Sequence, residues 1–142
     1  MSETLPEELV GLGVSQTIAE DISTEQVWKA LLIKIKEPNL FLPVTDVITR
    51  PSEDGRGTYR EMSLGPNRII ENIYADEALL EIKFVVENDI VEHVNIIHTN
   101  NGVRTLEFYK RHSQTGERVQ WDAPKQVGLG GIEKVLEKAR TL

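Results

Sequence analysis

The sequence contains no cysteine in its 142 residues. Disulfide bonds, thiolate catalysis and thiol-ligated zinc or iron–sulfur sites are therefore excluded. Its three histidines are His93, His98 and His112. His93 and His98 would point to opposite faces of a regular strand, so these residues form no metal-binding motif. The sequence thus predicts neither a metal ion nor another cofactor.

Basic residues and long apolar runs are also scarce. The sequence has 16 lysines and arginines and 23 acidic residues, which gives a formal net charge of −7. Nucleic-acid binding needs a concentrated basic surface, so no nucleic-acid partner is expected. No apolar run approaches the ~20 residues of a membrane span, and the acidic start "MSETLPEELVGLG" lacks the regions of a signal peptide. We expect a soluble cytoplasmic protein without membrane insertion.

Two segments carry helical periodicity. The first, "STEQVWKALLIKIKEP", has Ser23 or Thr24 as a capping residue and Pro38 as a stop, with apolar residues recurring on one stripe. The short "NLFLP" that follows is a candidate helical turn. The second is a closing helix of about 11 to 17 residues. Either it begins near Ile132, or the glycines before Ile132 let it lie close to a sheet.

The segment between these helices has the period of β-strands. It predicts strands at 44–50, 57–64, 68–75, 79–86, 91–99 and 103–112, after a first strand within residues 11–22. The short turns imply antiparallel pairing. The sequence therefore predicts one α+β domain over residues 1–142, with residues 1–10 mobile. In it, about seven strands curve around the C-terminal helix, one or two short helices separate the first two strands, and a pocket lies between sheet and helix.

The turns fix which side chains point inward. We predict two-residue turns at Pro66-Asn67, Asp76-Glu77, Asn88-Asp89 and Asn101-Gly102. In that register, Arg60 and Glu71 both face the interior and lie diagonal to each other, while Glu61 and Asn72 face outward. The predicted inner face comprises Arg60, Met62, Leu64, Ile69, Glu71, Ile73, Leu80, Ile82, Phe84, Val91, His93, Asn95, Ile97, Leu106 and Phe108.

Part of this face supplies the predicted site. Candidate ligand-binding residues are Arg60, Met62, Glu71, Ile73, Ile82, Phe84, His93, Asn95, Leu106 and Phe108, together with Trp121. Arg60 could hold a carboxylate or enolate oxygen, and Glu71 could act as a base whose pKa burial has raised. His93 could polarise a carbonyl or move a proton. The alternative is an internal Arg60–Glu71 ion pair without a ligand, because a buried single charge is costly.

The order of elements resembles the helix-grip fold of the SRPBCC superfamily, which includes START lipid-transfer domains, the birch-pollen allergen family and polyketide cyclases. The stretch "SEDGRGTY" falls where the pollen-allergen relatives carry a glycine-rich loop. The stretches "STEQVWKALLIKIKEPNLFLP", "GTYREMSLG" and "VNIIHTNNGVRTLEFYKRH" are similar to the AtaL-like family, named for a protein of a fungal secondary-metabolite gene cluster. That family brings no agreed catalytic residues.

Three functions remain open at this point. The first is binding of a small, largely hydrophobic molecule, such as a lipid, polyketide or aromatic metabolite, in the internal cavity. The second is a cofactor-independent cyclase or isomerase of secondary metabolism, with Glu71, Arg60 and His93 as acid–base candidates. The third is a protein-interaction module whose cavity is filled.

Overall fold

A computed structural model of the protein describes residues 13–120 and 125–142. Two α-helices, α1 (Thr24–Lys36) and α2 (Lys125–Ala139), flank the sheet, and a 3-10 turn at Pro38–Leu40 follows α1. The strands β1 to β7 are Val14–Thr17, Thr45–Pro51, Thr58–Leu64, Asn67–Asp76, Glu81–Val86, Val91–Asn100 and Val103–His112. They form one antiparallel sheet in the order β1-β7-β6-β5-β4-β3-β2. The predicted α+β helix-grip architecture is confirmed. The predicted mobility of residues 1–10 concerns a segment outside the described residues.

Helix α1 begins at a capping box. The Ser23 side chain accepts a hydrogen bond from the Gln26 backbone N–H at 3.0 Å, and the Gln26 side chain accepts one from the Ser23 N–H at 2.7 Å. Pro38 ends the helix as predicted, because it cannot continue the hydrogen-bond ladder. The buried stripe of α1 contains Val27, Trp28, Ala30, Leu31, Lys34 and Ile35.

The hairpin between β3 and β4 turns earlier than predicted. Leu64 pairs with Asn67, so Gly65 and Pro66 form the turn in place of Pro66 and Asn67. Gly65 has φ of +59°, a conformation that glycine adopts readily at the first position of a two-residue hairpin turn. The two-residue shift in register leaves every side chain on its predicted face. It also places Arg60 directly opposite Glu71, where a diagonal relation was predicted.

The hairpin between β4 and β5 departs further from the predicted register. Asp76 pairs with Glu81, so four residues, 77 to 80, make the loop instead of Asp76 and Glu77. Leu80 takes a φ of +54° there, which lets the longer loop close. The predicted strand over 79–86 accordingly starts two residues later, at Glu81. The shift is again even, and Glu71 now lies opposite Val86 on the inner face.

The last two hairpins have the predicted registers. Phe84 pairs with His93, as a turn at Asn88-Asp89 requires, and Asn100 pairs with Val103 around Asn101-Gly102. Asn101 and Gly102 both have positive φ, at +53° and +80°. This is the conformation that a type I′ turn requires at its two central residues. Because both registers are as predicted, the side chains of β6 and β7 that were expected to face the interior do so.

Helix α2 covers one half of the concave face. It starts at Lys125 and not near Ile132, so the glycines lie within the helix, as the second of the two alternatives predicted. A Cβ atom on Gly131 would lie 3.4 Å from the Phe108 ring, whereas one on Gly130 would meet nothing within 4 Å. At Gly131 the helix therefore lies within van der Waals contact distance of the sheet. Beyond it, Ile132, Val135 and residues of α1 and the sheet form the hydrophobic core.

Neither helix in the described part of the chain is long and apolar enough to cross a lipid bilayer.

Candidate ligand-binding cavity

A cavity of about 410 Å³ lies on the uncovered half of the concave face. Strands β3 to β7 form its floor, the C-terminal end of α1 forms one wall, and the first turns of α2 form another. The lining is mostly apolar with a few polar groups among the apolar ones. It consists of Lys34, Leu42, Arg60, Met62, Ile69, Glu71, Phe84, Val86, Asp89, His93, Val94, Asn95, Phe108, Tyr109, Val127, Gly128 and Gly131.

Most of the predicted ligand-binding residues line this one cavity. They are Arg60, Met62, Glu71, Phe84, His93, Asn95 and Phe108. Ile73, Ile82 and Leu106 also point inward, but they do not line the cavity as predicted. They lie in the packed core, at most 1% exposed, since the helices cover that half of the sheet. Trp121 lies outside the described residues.

Arg60 is held by the protein itself. Its Nε and Nη2 donate to Glu71 Oε1 at 3.1 and 2.7 Å, and its Nη1 donates to the backbone oxygens of Lys34 and Ile35 at 3.1 and 3.2 Å. These carbonyls belong to the last turn of α1, where helical carbonyls lack intrahelical partners and the helix dipole favours a cation. Arg60 is 2% exposed. The guanidinium therefore joins β3, β4 and the end of α1, as the ion-pair alternative expects.

Lys34 is a cavity residue that sequence reasoning missed. Its Nζ donates to Asn95 Oδ1 at 2.8 Å and lies 4.3 Å from the centre of the Phe108 ring and 5.2 Å from that of Phe84. The side chain is 8% exposed. Helical spacing could have identified it, because Lys34 follows Val27 by seven residues and so falls on the buried stripe of α1.

Burial lowers the pKa of the Lys34 ammonium from 10.5 to about 7, with the positive charge of Arg60 as a further cause. Glu71 acts in the opposite direction, but its carboxylate is already paired with Arg60. Asn95 offers Lys34 a neutral oxygen only. The cavity therefore contains an amine that exchanges its proton near neutral pH. This amine lies on the α1 wall, where the sequence predicted no functional residue.

The residues next to Arg60 and Phe108 along their strands point to the opposite face of the sheet. Glu61 accepts hydrogen bonds from Tyr59 and Arg68, which confirms its predicted orientation. The ring of Tyr109, a residue that also borders the cavity, packs under the Arg118 guanidinium, whose central carbon lies 3.8 Å from the ring centre. The side chains adjacent to Arg60 and Phe108 along their strands are therefore used to cover the sheet.

Metal-ligating side chains do not gather around the cavity. His98 lies on the outer face beside Glu107, and His112 ends β7. Within residues 13–120 and 125–142 there is no group of three or more histidine or acidic side chains that could hold a metal ion. The chemistry that the described cavity offers is therefore that of Lys34, the Arg60–Glu71 pair, His93 and Asn95.

Comparison with solved structures gives the same fold. The protein TTHA0849 from Thermus thermophilus is 10% identical, with a TM-score of 0.62, over 91% of this chain and 96% of that one. Ara h 8.0201 is 15% identical, with a TM-score of 0.58, over 92% of this chain and 97% of that one. The protein XoxI from Bacillus cereus is 14% identical, with a TM-score of 0.50, over 91% and 93%. A search of curated proteins gives no match.

The comparison with protein families is more specific. The model of the family AtaL, described as acetylaranotin biosynthesis cluster protein L, matches residues 15–118. The match runs from β1 through all of β7 and so includes Lys34, Arg60, Glu71, His93 and Asn95. The chain therefore belongs to the AtaL family, a branch of the SRPBCC superfamily with the helix-grip fold.

Proposed function

We propose that this protein binds a small, largely hydrophobic molecule in the cavity between the sheet and α2. The observation that carries the proposal is the cavity of about 410 Å³, with an apolar lining and a few convergent polar groups. Cavities of this size and composition are typical of small-molecule sites, which span ~300–1,000 Å³. Its place toward the lower end of that range favours a compact molecule, such as an aromatic metabolite or polyketide, over a long-chain lipid.

The family supports the same class of ligand. Its namesake is described as a protein of the acetylaranotin biosynthesis cluster, and the fold commonly binds hydrophobic molecules. The open cavity argues against the alternative of a protein-interaction module with a filled interior. A secondary metabolite or its biosynthetic intermediate is accordingly the ligand that we propose.

One observation favours catalysis as a second candidate function. Lys34, whose pKa is about 7, could take a proton from a bound molecule or return it, because acid–base catalysts work best with a pKa near the operating pH. Glu71 and His93 line the same cavity, although Glu71 is already paired with Arg60. A cofactor-independent isomerisation or cyclisation would need Lys34 in place of the predicted Arg60.

Native mass spectrometry of the protein purified from its own host tests ligand binding directly. A co-purifying small molecule is expected, and it should be displaced or excluded by a side chain that fills the cavity. Gly131→Leu places that side chain against Phe108, and Gly130→Leu is the matched control, since its Cβ meets open space. Retention of the molecule by Gly130→Leu and its loss from Gly131→Leu would support the proposal.

Two results would contradict the proposal. If no mass is bound, and if a panel of aromatic polyketides, fatty acids and sterols leaves the thermal melting temperature of the wild-type protein unchanged, the cavity is not a binding site for these classes. A ligand that binds both glycine variants equally would place the site elsewhere on the protein.

A further inference from the structure

We infer that the molecule bound in this cavity is an apolar anion whose acidic group lies against Nζ of Lys34. This inference rests on the proposed binding function and specifies its ligand class. Carboxylates, sulfonates and the enolate or phenolate oxygens of aromatic compounds share the required chemistry, namely a negatively charged oxygen attached to an apolar body.

The charges around the cavity favour an anion. The buried charged side chains of its described lining are Lys34, Arg60 and Glu71, two basic groups and one acidic group. Glu71 is bound to Arg60, so Lys34 has no carboxylate partner of its own within the described lining. A buried charge is tolerated best when a group of opposite charge lies beside it. An anionic ligand would be that group.

The geometry assigns this role to Lys34 and not to Arg60. The ammonium group has three N–H donors, and one of them is directed to Asn95 Oδ1. The guanidinium of Arg60 instead makes four hydrogen bonds, two to Glu71 and two to the end of α1. Breaking those bonds would leave the last turn of α1 uncapped. Lys34 therefore offers donors to a ligand at less cost to the fold.

The aromatic rings beside Lys34 provide room for the apolar body. Phe84 and Phe108 line the cavity with their ring centres 5.2 and 4.3 Å from Nζ of Lys34, and α2 contributes two glycines, Gly128 and Gly131, beside Val127. Two flat rings and a wall with two glycines favour a planar aromatic ligand, because stacked or edge-on ring contacts need close approach. The acidic group would then lie at one end of the ligand, near Asn95.

Binding of such a ligand should take up a proton. A negative charge next to Lys34 favours its charged form, so the complex holds the ammonium at a pH where the free protein has begun to lose it. The other titratable groups that border this space are Arg60, Glu71, His93 and, at the exposed rim, Asp89, with Lys110 further along the inner face of β7 and Tyr109, whose ring lies under Arg118. The described lining from α2 contributes no titratable side chain.

A matched pair of fluorescent probes tests the inference. 1-Anilinonaphthalene-8-sulfonate carries a permanent negative charge, whereas N-phenyl-1-naphthylamine has the same ring system without the sulfonate. At about pH 7 we expect the sulfonate to bind the wild-type protein more tightly than the neutral probe. Lys34→Met should weaken sulfonate binding by about tenfold to a hundredfold, the range for a hydrogen bond to a charged group, and leave the neutral probe nearly unchanged.

Two controls separate the lysine from other causes. Lys29→Met removes the same charge from an exposed position of the same helix and should change neither affinity. Above about pH 7, sulfonate affinity for the wild-type protein should fall by roughly tenfold per pH unit until it reaches the affinity of Lys34→Met, since the sulfonate itself does not titrate. His93→Gln should keep this pH dependence, and Lys34→Met should abolish it.

The outcomes distinguish this inference from the proposed function. Equal or tighter binding of the neutral probe, unaffected by Lys34→Met, would overturn the anion proposal and leave hydrophobic binding intact. Failure of both probes to bind would count against the proposed function itself. If Lys34→Met is unstable, Lys34→Gln provides the second test, and retention of the sulfonate preference and its pH dependence in that variant would also overturn the inference.

Discussion

The buried amine of Lys34 makes a sharp prediction about stability and pH. The unfolded chain holds the Lys34 proton with the ordinary pKa of 10.5, while the folded protein holds it with a pKa of about 7. The unfolded state therefore binds more protons between these two values, and the free energy of unfolding should rise with pH across that window. Below about pH 7 the destabilising effect of Lys34 is at its full size, and above pH 10.5 it disappears.

The size of this effect follows from the linkage relation. With the folded pKa at about 7 and the unfolded pKa at 10.5, Lys34 lowers the free energy of unfolding by about 4 kcal/mol at pH 7 and by about 2 kcal/mol at pH 9. Lys34→Met removes this effect and retains a side chain of similar length. It also leaves Asn95 Oδ1 without its donor, at a cost of about 1–3 kcal/mol that does not depend on pH. We therefore expect Lys34→Met to be more stable than the wild-type protein at pH 7 by about 1–3 kcal/mol.

Urea unfolding of the ligand-free protein, followed by circular dichroism at about pH 7 and about pH 9, measures this difference. The gap between Lys34→Met and the wild-type protein should narrow by about 2 kcal/mol between the two pH values. Lys29→Met, with the same loss of charge at an exposed site, should show no such change. A gap for Lys34→Met that is constant within about 0.5 kcal/mol would show that the pKa of Lys34 is ordinary. It would also remove the acid–base basis of the second candidate function.

Two further predictions concern the groups around the cavity. Glu71→Gln should lower the free energy of unfolding by about 3 kcal/mol in denaturant titrations, because it leaves the buried Arg60 guanidinium without its carboxylate; a loss under about 1 kcal/mol would contradict the assigned role of the pair. Gly130→Ala should raise the free energy of unfolding by about 1 kcal/mol, since its Cβ meets open space in the middle of α2. Gly131→Ala should gain less, because its Cβ would lie 3.4 Å from the Phe108 ring, at the short limit of ordinary van der Waals contact; equal gains in the two variants would show that α2 does not pack closely at that point.

The faces of the sheet could be predicted from sequence because side chains on a strand alternate with a period of two. The Asn101-Gly102 turn fixed the register of β6 against β7, so Asn95 and Phe108 were placed opposite each other correctly in the interior. The β3–β4 and β4–β5 registers were wrong by even numbers of residues, because the β3–β4 turn begins one residue earlier, at Gly65, and the loop before Glu81 is longer than predicted. An even error preserves the faces, so the inward orientation of Arg60 and Glu71 was still correct.

The limits of the cavity depended on how the helices pack. Ile73, Ile82 and Leu106 have the same alternation as Phe84 and Phe108, yet they lie in the core under the helices. Strand periodicity identifies the inner face, but it does not indicate which part of that face a distant helix covers. The position of α2, set by its contact through Gly131 and by the packing of Ile132, decided that boundary.

The sequence by itself determined the order of elements, the capping of α1, the inward orientation of Arg60 and Glu71 and the absence of thiol chemistry. Each of these follows from local spacing or from composition. Only the tertiary structure decided the roles of the two buried basic residues. Arg60 became the cap of α1 because the end of that helix lies against β3, and Lys34 acquired a lowered pKa because the same packing buries it beside Arg60. The charge of a side chain is local information, but the solvent and partners that tune it come from residues distant in the chain.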